Sequence, residues 1–236
     1  MTTLPQPPFC SPLQAHWPLP QPLPGISLVS TGFDAERLRE DDFNDFGLAL
    51  PTGVRKRQAE FLAGRLCAFA ALQYATGHGH VLPSSENRAP CWPSRTVGSI
   101  THSHGWAAAV AAQAADWRSL GIDAEPCMNP ERAERLARQI LTADEQAACQ
   151  GLSPEAYARH LTLAFSFKES LFKALNPLVG QYFHFQDAEL HEVSEDGHAR
   201  LRLLRELAPD WPRGSELPGQ FSIGEERILT LVSVPT

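Results

Sequence analysis

The sequence has few features of secreted, disulfide-bonded or membrane proteins. It contains five cysteines, an odd number, and no two of them form a C-x-x-C pair. This argues against a disulfide framework or a cysteine zinc site and favours reduced thiols, which are typical of the cytoplasm. The longest apolar stretch, residues 106–112, is far too short to span a bilayer. The N-terminus has no basic segment followed by an apolar one, so we expect no signal peptide.

Positive charge is also scarce. The chain has 20 basic and 27 acidic residues and a net charge of −7, which argues against non-specific binding of nucleic acid. Its 236 residues, of which 43% are hydrophobic, are enough for a substantial buried core. We therefore expect a cytoplasmic globular protein with no membrane or nucleic-acid partner.

Strand and helix patterns alternate along the chain. We predict strands at 26–30, 98–112, 119–125, Tyr182–Leu190, 198–204, 220–223 and 228–234, and helices at 55–74, 130–141, from the capping box 142–145, and from Ser153 to about Leu175. This order predicts an α+β protein with two halves of similar plan. A proline-rich arm of little regular structure (1–24) precedes an N-terminal half (25–115) and a C-terminal half (116–236).

An acidic pair occurs in Gly121-Ile-Asp-Ala-Glu125. Alternate side chains of a strand share a face, so Asp123 and Glu125 point the same way. Two carboxylates on one face suit a magnesium ion, which takes oxygen ligands from carboxylates and substrate phosphates. The alternative is a pair of exposed acids on an edge strand.

A second charged segment occupies residues 165–173. Phe165, Glu169 and Lys173 lie four residues apart in turn, on one helix face. Glu169 and Lys173 could form an ordinary surface ion pair. The neighbouring phenylalanines argue against full exposure, because charged groups among aromatic rings are costly to bury without a function. A third acidic ligand with two phosphate-binding lysines, Lys168 and Lys173, would explain the pattern.

Two further segments are weaker signals. His102, at the end of a strand that also carries Thr101, could bind a phosphate or serve as a base, or could be structural. The basic cluster of Lys56 and Arg57 with their neighbours, at the start of a helix, suits an anion because the helix dipole adds to the charge. A solvated basic turn is the alternative.

Taken together, these segments resemble the 4′-phosphopantetheinyl transferases, in particular the large monomeric class typified by the surfactin and enterobactin enzymes. The matching motifs are Gly-Ile-Asp-x-Glu at 121–125, aromatic-x-x-Lys-Glu-(Ala/Ser)-x-x-Lys at 165–173, Ser-x-(Ser/Thr)-His-Ser at 99–103 and the basic-Phe-Leu-Ala-Gly-Arg helix at 55–65. The resemblance covers about residues 25–234 and implies the pseudo-twofold fold of that family. Phe165 stands where many members have tryptophan, and Ala124 cannot supply a ligand.

The resemblance implies a reaction and roles for these residues. The phosphopantetheine arm of coenzyme A would move to a serine of an apo acyl or peptidyl carrier protein, leaving 3′,5′-ADP. The expected metal is Mg²⁺, with Mn²⁺ possible, held by Asp123, Glu125 and Glu169. Glu169, or a water bound to the metal, would be the base, and Lys173 and Lys168 would stabilise phosphoryl oxygens. The coenzyme A ligands would be Lys56, Arg57, Arg65, Arg88, Thr101, His102 and Lys173.

Other readings of the sequence stay open. A metal-dependent phosphohydrolase also needs clustered acids and lysines, and a non-catalytic carrier-binding module could keep the fold alone. The carrier could belong to fatty-acid, polyketide, siderophore or lysine biosynthesis, and we expect a monomeric enzyme. The row Arg132, Arg135 and Arg138 could dock an acidic carrier, or could pair with Glu131 and Glu134 on a solvated face.

Overall fold

The computed structural model describes residues 6–85 and 89–236, and the chain forms two compact units. The first unit holds residues 22–118, the N-terminal segment up to Trp17 and the last two residues. The second holds residues 18–21 and 119–234. All five cysteines are free thiols, which confirms the prediction made from their number and spacing. In the part of the chain described, no helix combines the length and apolar character needed to cross a membrane.

Both units combine helices with a β-sheet, which confirms the predicted α+β class. The strands are β1 (Gln14–Ala15), β2 (Ser27–Gly32), β3 (Thr96–Ser103), β4 (Trp106–Gln113), β5 (Trp117–Glu125), β6 (Ala188–Val193), β7 (His198–Leu203), β8 (Glu216–Ile223) and β9 (Ile228–Pro235). The helices are α1 (Asp41–Asn44), α2 (Arg55–Thr76), α3 (Pro130–Ile140), α4 (Ala143–Ala148) and α5 (Pro154–Val179), with 3₁₀ turns at Ala35–Arg37 and Phe185–Asp187.

The first unit is built on the long helix α2, which packs on an antiparallel sheet of strand order β1-β2-β4-β3. Strand β4 is rich in alanine, and Ala107, Ala109 and Ala111 are fully buried in the core that α2 shares. Small side chains let helix and sheet approach closely, and a Cβ at Gly64 would lie 2.7 Å from Ile100 Cγ2. The helix ends at Gly77, whose φ of +82° is left-handed.

Residues 98–112 form a hairpin and not the single strand that the sequence predicted. Strands β3 and β4 pair antiparallel, and Ser103 faces Trp106 across the turn. The two residues between them, His104 and Gly105, have positive φ values of 39° and 71°. A two-residue hairpin of type I′ needs positive φ at both positions, and Asn or Asp before Gly is its usual signal. Histidine replaces that signal here, so the turn was missed.

The second unit packs α5 on a five-stranded sheet of order β5-β9-β8-β7-β6. As predicted, Ser153 caps the helix by accepting a hydrogen bond from Ala156 N, and Thr142 and Glu145 form a reciprocal capping box on α4. The predicted end of α5 at Leu175 is wrong. The helix accommodates Pro177 in its last turn, where proline removes one hydrogen bond, and ends at the left-handed Gly180.

The predicted strand Tyr182–Leu190 begins only at Ala188 as β6. The residues before it carry aromatic rings that pack on α5. The ring centroids of Tyr182 and Phe183 both lie 5.2 Å from that of Phe172. Aromatic residues are common in strands, which is why a strand was predicted here. In the structure the rings pack on α5, and the chain forms a loop and a 3₁₀ turn.

The proline-rich arm is anchored along the part that is described. Gln14 and Ala15 pair with β2 as strand β1. Leu19 is buried, and the backbone N–H of Gln21 donates to Gln220 Oε1 over 2.8 Å. The arm is therefore extended, as its prolines predict, but apolar side chains and main-chain pairing hold it in place.

Candidate active site

The two acidic segments lie side by side in the second unit. Helix α5 passes directly over strand β5 at Gly121, where a Cβ would lie 1.9 Å from Ser170 O. Only glycine permits this approach, and it brings Lys173 of α5 to Asp123 of β5. The glycine that opens the acidic motif is therefore the residue that lets the strand and the helix meet.

Asp123 is buried and has a donor on each carboxylate oxygen. Lys173 Nζ donates to Oδ1 over 2.7 Å, and Ser166 Oγ donates to Oδ2 over 3.0 Å. The same ammonium also donates to Ile122 O over 3.0 Å. β5 is the edge strand of its sheet, but Asp123 is buried there and is not one of a pair of exposed acids. Lys173 forms its ion pair with Asp123, from a different element.

Asp123 is held by a buried row of hydrogen-bonded hydroxyl groups that begins at Ser166. Ser166 Oγ lies 2.8 Å from Thr230 Oγ1, which lies 2.8 Å from Ser170 Oγ. All three side chains are fully buried. Sequence reasoning missed this row, since Thr230 on β9 lies far from α5 along the sequence. The available signal was a serine between Phe165 and Phe167 in an otherwise apolar stretch.

The carboxylates repel one another inside a partly desolvated site. Burial, and then the charge of Asp123, raise the pKa of Glu125 to about 7, against the opposing influence of Lys173 and Arg132. Burial also raises the pKa of Glu169, with Lys173 opposing and Asp123 adding to the effect. Shifts of this kind concentrate at functional sites, because such crowding is unfavourable without a compensating cation.

The donor chemistry of this cluster fits a hard divalent cation. Mg²⁺ prefers carboxylate oxygens and keeps room for water and substrate phosphates. Asp123, Glu125 and Glu169 are three carboxylates within electrostatic reach of one another. Across residues 6–85 and 89–236, however, no three His, Cys, Asp or Glu side chains converge as a ready-made metal cluster. Lys173 supplies the positive charge next to Asp123 instead.

Lys168 is placed differently from the prediction. The residue is 2% exposed, and its ammonium donates to Glu145 Oε2 over 2.6 Å and to Ile140 O over 2.8 Å. Glu145 also accepts hydrogen bonds from the N–H groups of Thr142 and Leu190. Burial lowers the pKa of Lys168, and Glu145 opposes that shift. The predicted contact with phosphoryl oxygens does not agree with this placement, since the ammonium is enclosed in a buried ion pair.

In the first unit, the structure brings together two of the predicted nucleotide ligands. Arg57 at the start of α2 and His102 at the end of β3 are joined by 2.7 Å between Nη1 and Nε2. Glu60, one turn after Arg57, has Oε2 3.6 Å from Arg57 Nη1 and 3.6 Å from His102 Nδ1. Sequence reasoning did not single out Glu60. Lys56, next to Arg57, is exposed.

The other predicted nucleotide ligands do not join this pair. Arg65 is buried, its guanidinium donates to Leu82 O and Ser84 Oγ, and it lies 4.6 Å above the Phe61 ring. Burial lowers its pKa to about 10. Thr101 is buried and, by strand alternation, lies on the opposite face from His102. Arg88 lies outside the described residues.

A cavity of about 460 Å³ opens beside Arg57. Its walls are mainly apolar, and they are formed by residues 47–52, Arg57, Phe61, Pro83 and Ser84. A cavity with apolar walls and one cationic side chain at its rim suits a flat heteroaromatic group that carries a phosphate.

The comparisons with known proteins agree with these motifs. A family model described as the 4′-phosphopantetheinyl transferase N-terminal domain matches residues 48–112, and one described as the 4′-phosphopantetheinyl transferase superfamily matches residues 119–231. Enterobactin synthase component D from Salmonella typhimurium is 39% identical over 231 residues, covering 95% of this chain and 92% of that protein. The 4′-phosphopantetheinyl transferase Svp from Streptomyces mobaraensis is 37% identical over 187 residues, covering 77% of this chain and 74% of that protein.

One solved structure shows a weaker likeness. A holo-(acyl-carrier-protein) synthase from Bacillus anthracis aligns with 52% of this chain at 19% identity and a TM-score of 0.35. That likeness is too low to bear on the fold or the site.

Proposed function

Because the chain belongs to the 4′-phosphopantetheinyl transferase superfamily, we propose that it moves the phosphopantetheine arm of coenzyme A onto a serine of an apo carrier protein and releases 3′,5′-ADP. The relatives named above carry transferase or synthase names, so a phosphohydrolase is set aside. The observation that carries the assignment of residues is the contact of Asp123 with Lys173, beside the carboxylates of Glu125 and Glu169.

Glu169 is the group best suited to take the proton from the attacking serine. A serine hydroxyl is a poor nucleophile near neutral pH and needs a base. The raised pKa of Glu169 brings the carboxylate nearer to the working pH, where a general base is most effective. Glu169 is half-buried on α5, so part of the residue stays accessible to a substrate.

Lys173 would stabilise the charge on the transferring phosphoryl group. Its ammonium is already ordered by Asp123 and Ile122 O, so little reorganisation is needed when a phosphate arrives. Asp123 is in turn fixed by Ser166. Lys168 would have a structural role, because its buried ion pair with Glu145 joins α5 to the start of α4.

Asp123, Glu125 and Glu169 are the residues that would hold Mg²⁺, or Mn²⁺ in its place. When bound, the cation would neutralise charge on the pyrophosphate. The carboxylates themselves would keep their negative charge at lower pH once a cation balances them, because the cation offsets the burial and the repulsion by Asp123 that raise the pKa of Glu125.

The nucleotide end of coenzyme A would bind in the first unit. Arg57 and Lys56 offer charge to the 3′-phosphate, His102 offers a ring nitrogen, and the cavity beside Arg57 suits the adenine. Arg65 shapes this region by holding Leu82 O and Ser84 Oγ.

The carrier is proposed from the names of the relatives. Similarity to enterobactin synthase component D favours a carrier of siderophore biosynthesis, and a fatty-acid carrier is a second candidate. The free thiols suit the cytoplasm. The three acids and Lys173 lie in one unit of the chain, which suits a monomeric enzyme.

Intact mass spectrometry tests the function. With coenzyme A, Mg²⁺ and an apo carrier, the carrier should gain the mass of one phosphopantetheine. Asp123→Asn should abolish the gain, whereas the exposed acid variant Glu225→Gln should match the native protein. Cleavage of coenzyme A without a gain in carrier mass would indicate a phosphohydrolase, and an unchanged mixture would indicate a binding module.

A further inference from the structure

Glu60 lies beside both of the side chains proposed to bind the 3′-phosphate, and that proposal gives it no role. Its carboxylate approaches both Arg57 and His102 to 3.6 Å. The Glu60 side chain is 12% exposed, whereas His102 keeps 31% and Arg57 53%. A carboxylate so close to an anion site repels the anion unless neighbouring groups compensate its charge. Its presence in the site therefore needs an explanation.

The contact between Arg57 and His102 fixes the protonation of the ring. A guanidinium can only donate hydrogen bonds, so His102 Nε2, 2.7 Å from Arg57 Nη1, must accept. The ring proton then lies on Nδ1, on the side of Glu60. In this state His102 is neutral, and the charges of Arg57 and Glu60 cancel.

A bound phosphate requires a different state of the same three groups. For Nε2 to donate to a phosphate oxygen, Arg57 must turn from the ring to the anion. The proton on Nδ1 stays there, because an unprotonated Nδ1 would face the Glu60 carboxylate, so Nε2 takes a second proton from solvent. The imidazolium that results carries Nδ1–H toward the Glu60 carboxylate, which stabilises the positive charge. The three groups then carry one net positive charge, as a phosphate site should.

We propose that Glu60 is a positioning residue that allows His102 to take up a proton when the 3′-phosphate of coenzyme A binds. The inference rests on the proposed role of Arg57 and His102 in holding that phosphate. The charged groups that face the ring from α2 are Arg57 and Glu60, and its register partner across the sheet on β4 is Ala107. The only bond that forms in the protein is the N–H bond at Nε2, and its proton comes from solvent or buffer.

Calorimetry in buffers of different ionisation enthalpy measures the proton directly. At about pH 7.5 an imidazole in water is mostly neutral, so uptake is visible there. Without divalent cation, the native protein should take up close to one proton more when it binds coenzyme A than when it binds dephospho-coenzyme A. The His102→Gln variant reports any protons that the phosphate itself or other groups contribute.

Variants of Glu60 separate a positioning role from a structural one. Glu60→Gln should lose at least about half of the additional proton uptake, because the imidazolium has lost its partner. Glu60→Asp, which keeps the charge, should restore it. Nitrogen NMR of the free protein should show His102 with its proton on Nδ1.

The outcomes distinguish this inference from the proposed function. If the native protein binds coenzyme A and dephospho-coenzyme A equally well, the phosphate site itself is wrong. Suppose instead that coenzyme A binds more tightly than dephospho-coenzyme A. If its binding is then accompanied by no additional proton uptake, or if Glu60→Gln takes up as many protons as the native protein, the phosphate site stands and the role of Glu60 is overturned.

Discussion

At the scale of single residues, Glu169 and Lys173 lie one helical turn apart and are proposed to have different roles, the first as a base and the second as a positive charge for the phosphoryl group. They share a face of α5, yet the lysine donates its hydrogen bond to Asp123 of the neighbouring strand and acts on Glu169 only through its charge. Burial then raises the pKa of Glu169. A carboxylate in that state can accept a proton from a substrate and can also bind a metal.

Replacing Glu169 by glutamine keeps the size and polarity of the side chain and removes the base. We expect turnover to fall by about 100-fold or more, with coenzyme A affinity changed much less. Steady-state kinetics of transfer to a carrier measures both. The control is Glu155→Gln, an exposed acid in the first turn of the same helix. A variant with normal turnover and weakened coenzyme A binding would show that Glu169 is a ligand alone.

Periodicity predicted which candidate residues share a face, but it could not predict which residues of other elements contact them. The i, i+4 spacing predicted that Glu169 and Lys173 share a face, and strand alternation predicted the same for Asp123 and Glu125. The pair Lys168–Glu145 and the contact of Ser166 with Thr230 join residues from different elements. No local pattern reports such a contact, because it depends on how the elements pack.

At the scale of elements, the site depends on how closely α5 approaches β5. The approach requires a strand position without a side chain, and Gly121 supplies it. Gly121→Ala should destabilise the protein by about 1–3 kcal/mol, the usual effect of an overfilled core. It should also lower transfer activity, because the helix that carries Lys173 must move away from Asp123.

Chemical denaturation and transfer kinetics check this prediction. Gly224→Ala is the control, since a Cβ there meets its nearest neighbour, Arg227 O, at an ordinary 3.5 Å. That change should alter stability by no more than about 0.5 kcal/mol. Equal stability of the two variants would show that the close approach at Gly121 does not constrain the fold.

Helix α3 provides a surface for testing carrier docking. Arg132, Arg135 and Arg138 are exposed. The alternative to docking was that these arginines pair with Glu131 and Glu134, but among the residues described neither Arg135 nor Arg138 forms such an ion pair. Arg132 lowers the pKa of Glu125, so reversing its charge would disturb the carboxylates directly. The other two arginines are the cleaner test.

Reversing Arg135 and Arg138 to glutamate should raise KM for an acidic carrier several-fold and flatten its salt dependence, because charge complementarity is lost. KM for coenzyme A should not change. The double change Arg159→Glu and Arg213→Glu, at two exposed arginines outside α3, is the control for net charge. Unchanged carrier kinetics at low salt would move the search for the docking surface to apolar residues.

The sequence located most elements, and turn chemistry explains the exceptions. Helix α2 and helix α3 were predicted to within two residues from their apolar spacing and the Pro130 start signal. The hairpin at His104–Gly105 was missed because histidine is an unusual residue for a position with positive φ. The end of α5 was predicted too early because a proline in the last turn costs less than one in a helix interior.

At the scale of the whole molecule, the chain divides into two α+β units that each combine one long helix with a sheet. The similar plan of the halves was visible in the order of elements. The anchoring of the N-terminal arm was not, because composition reports the extended conformation of a proline-rich segment but not which buried surface its Leu19 meets.

The carboxylate cluster also affects global stability in a way that depends on pH. The pKa of Glu125 is raised in the folded protein to about 7 from 4.5. The folded state therefore binds more protons than the unfolded state in this window, and without a cation stability falls as pH rises through it. A divalent cation that binds the cluster should reverse this loss, and the gain should be larger at about pH 8 than at about pH 5.5.

Thermal melting with and without Mg²⁺ at these two pH values is the most direct test of the carboxylate cluster as a metal site. At 100 times Kd, a cation stabilises the folded state by about 2.7 kcal/mol, so Tm should rise by about 5–10 °C at the higher pH. Glu125→Gln should lose most of this rise, and Glu225→Gln should keep it. An equal rise in the native protein and Glu125→Gln, or no rise in the native protein at the higher pH, would contradict the assignment of Asp123, Glu125 and Glu169 as metal ligands.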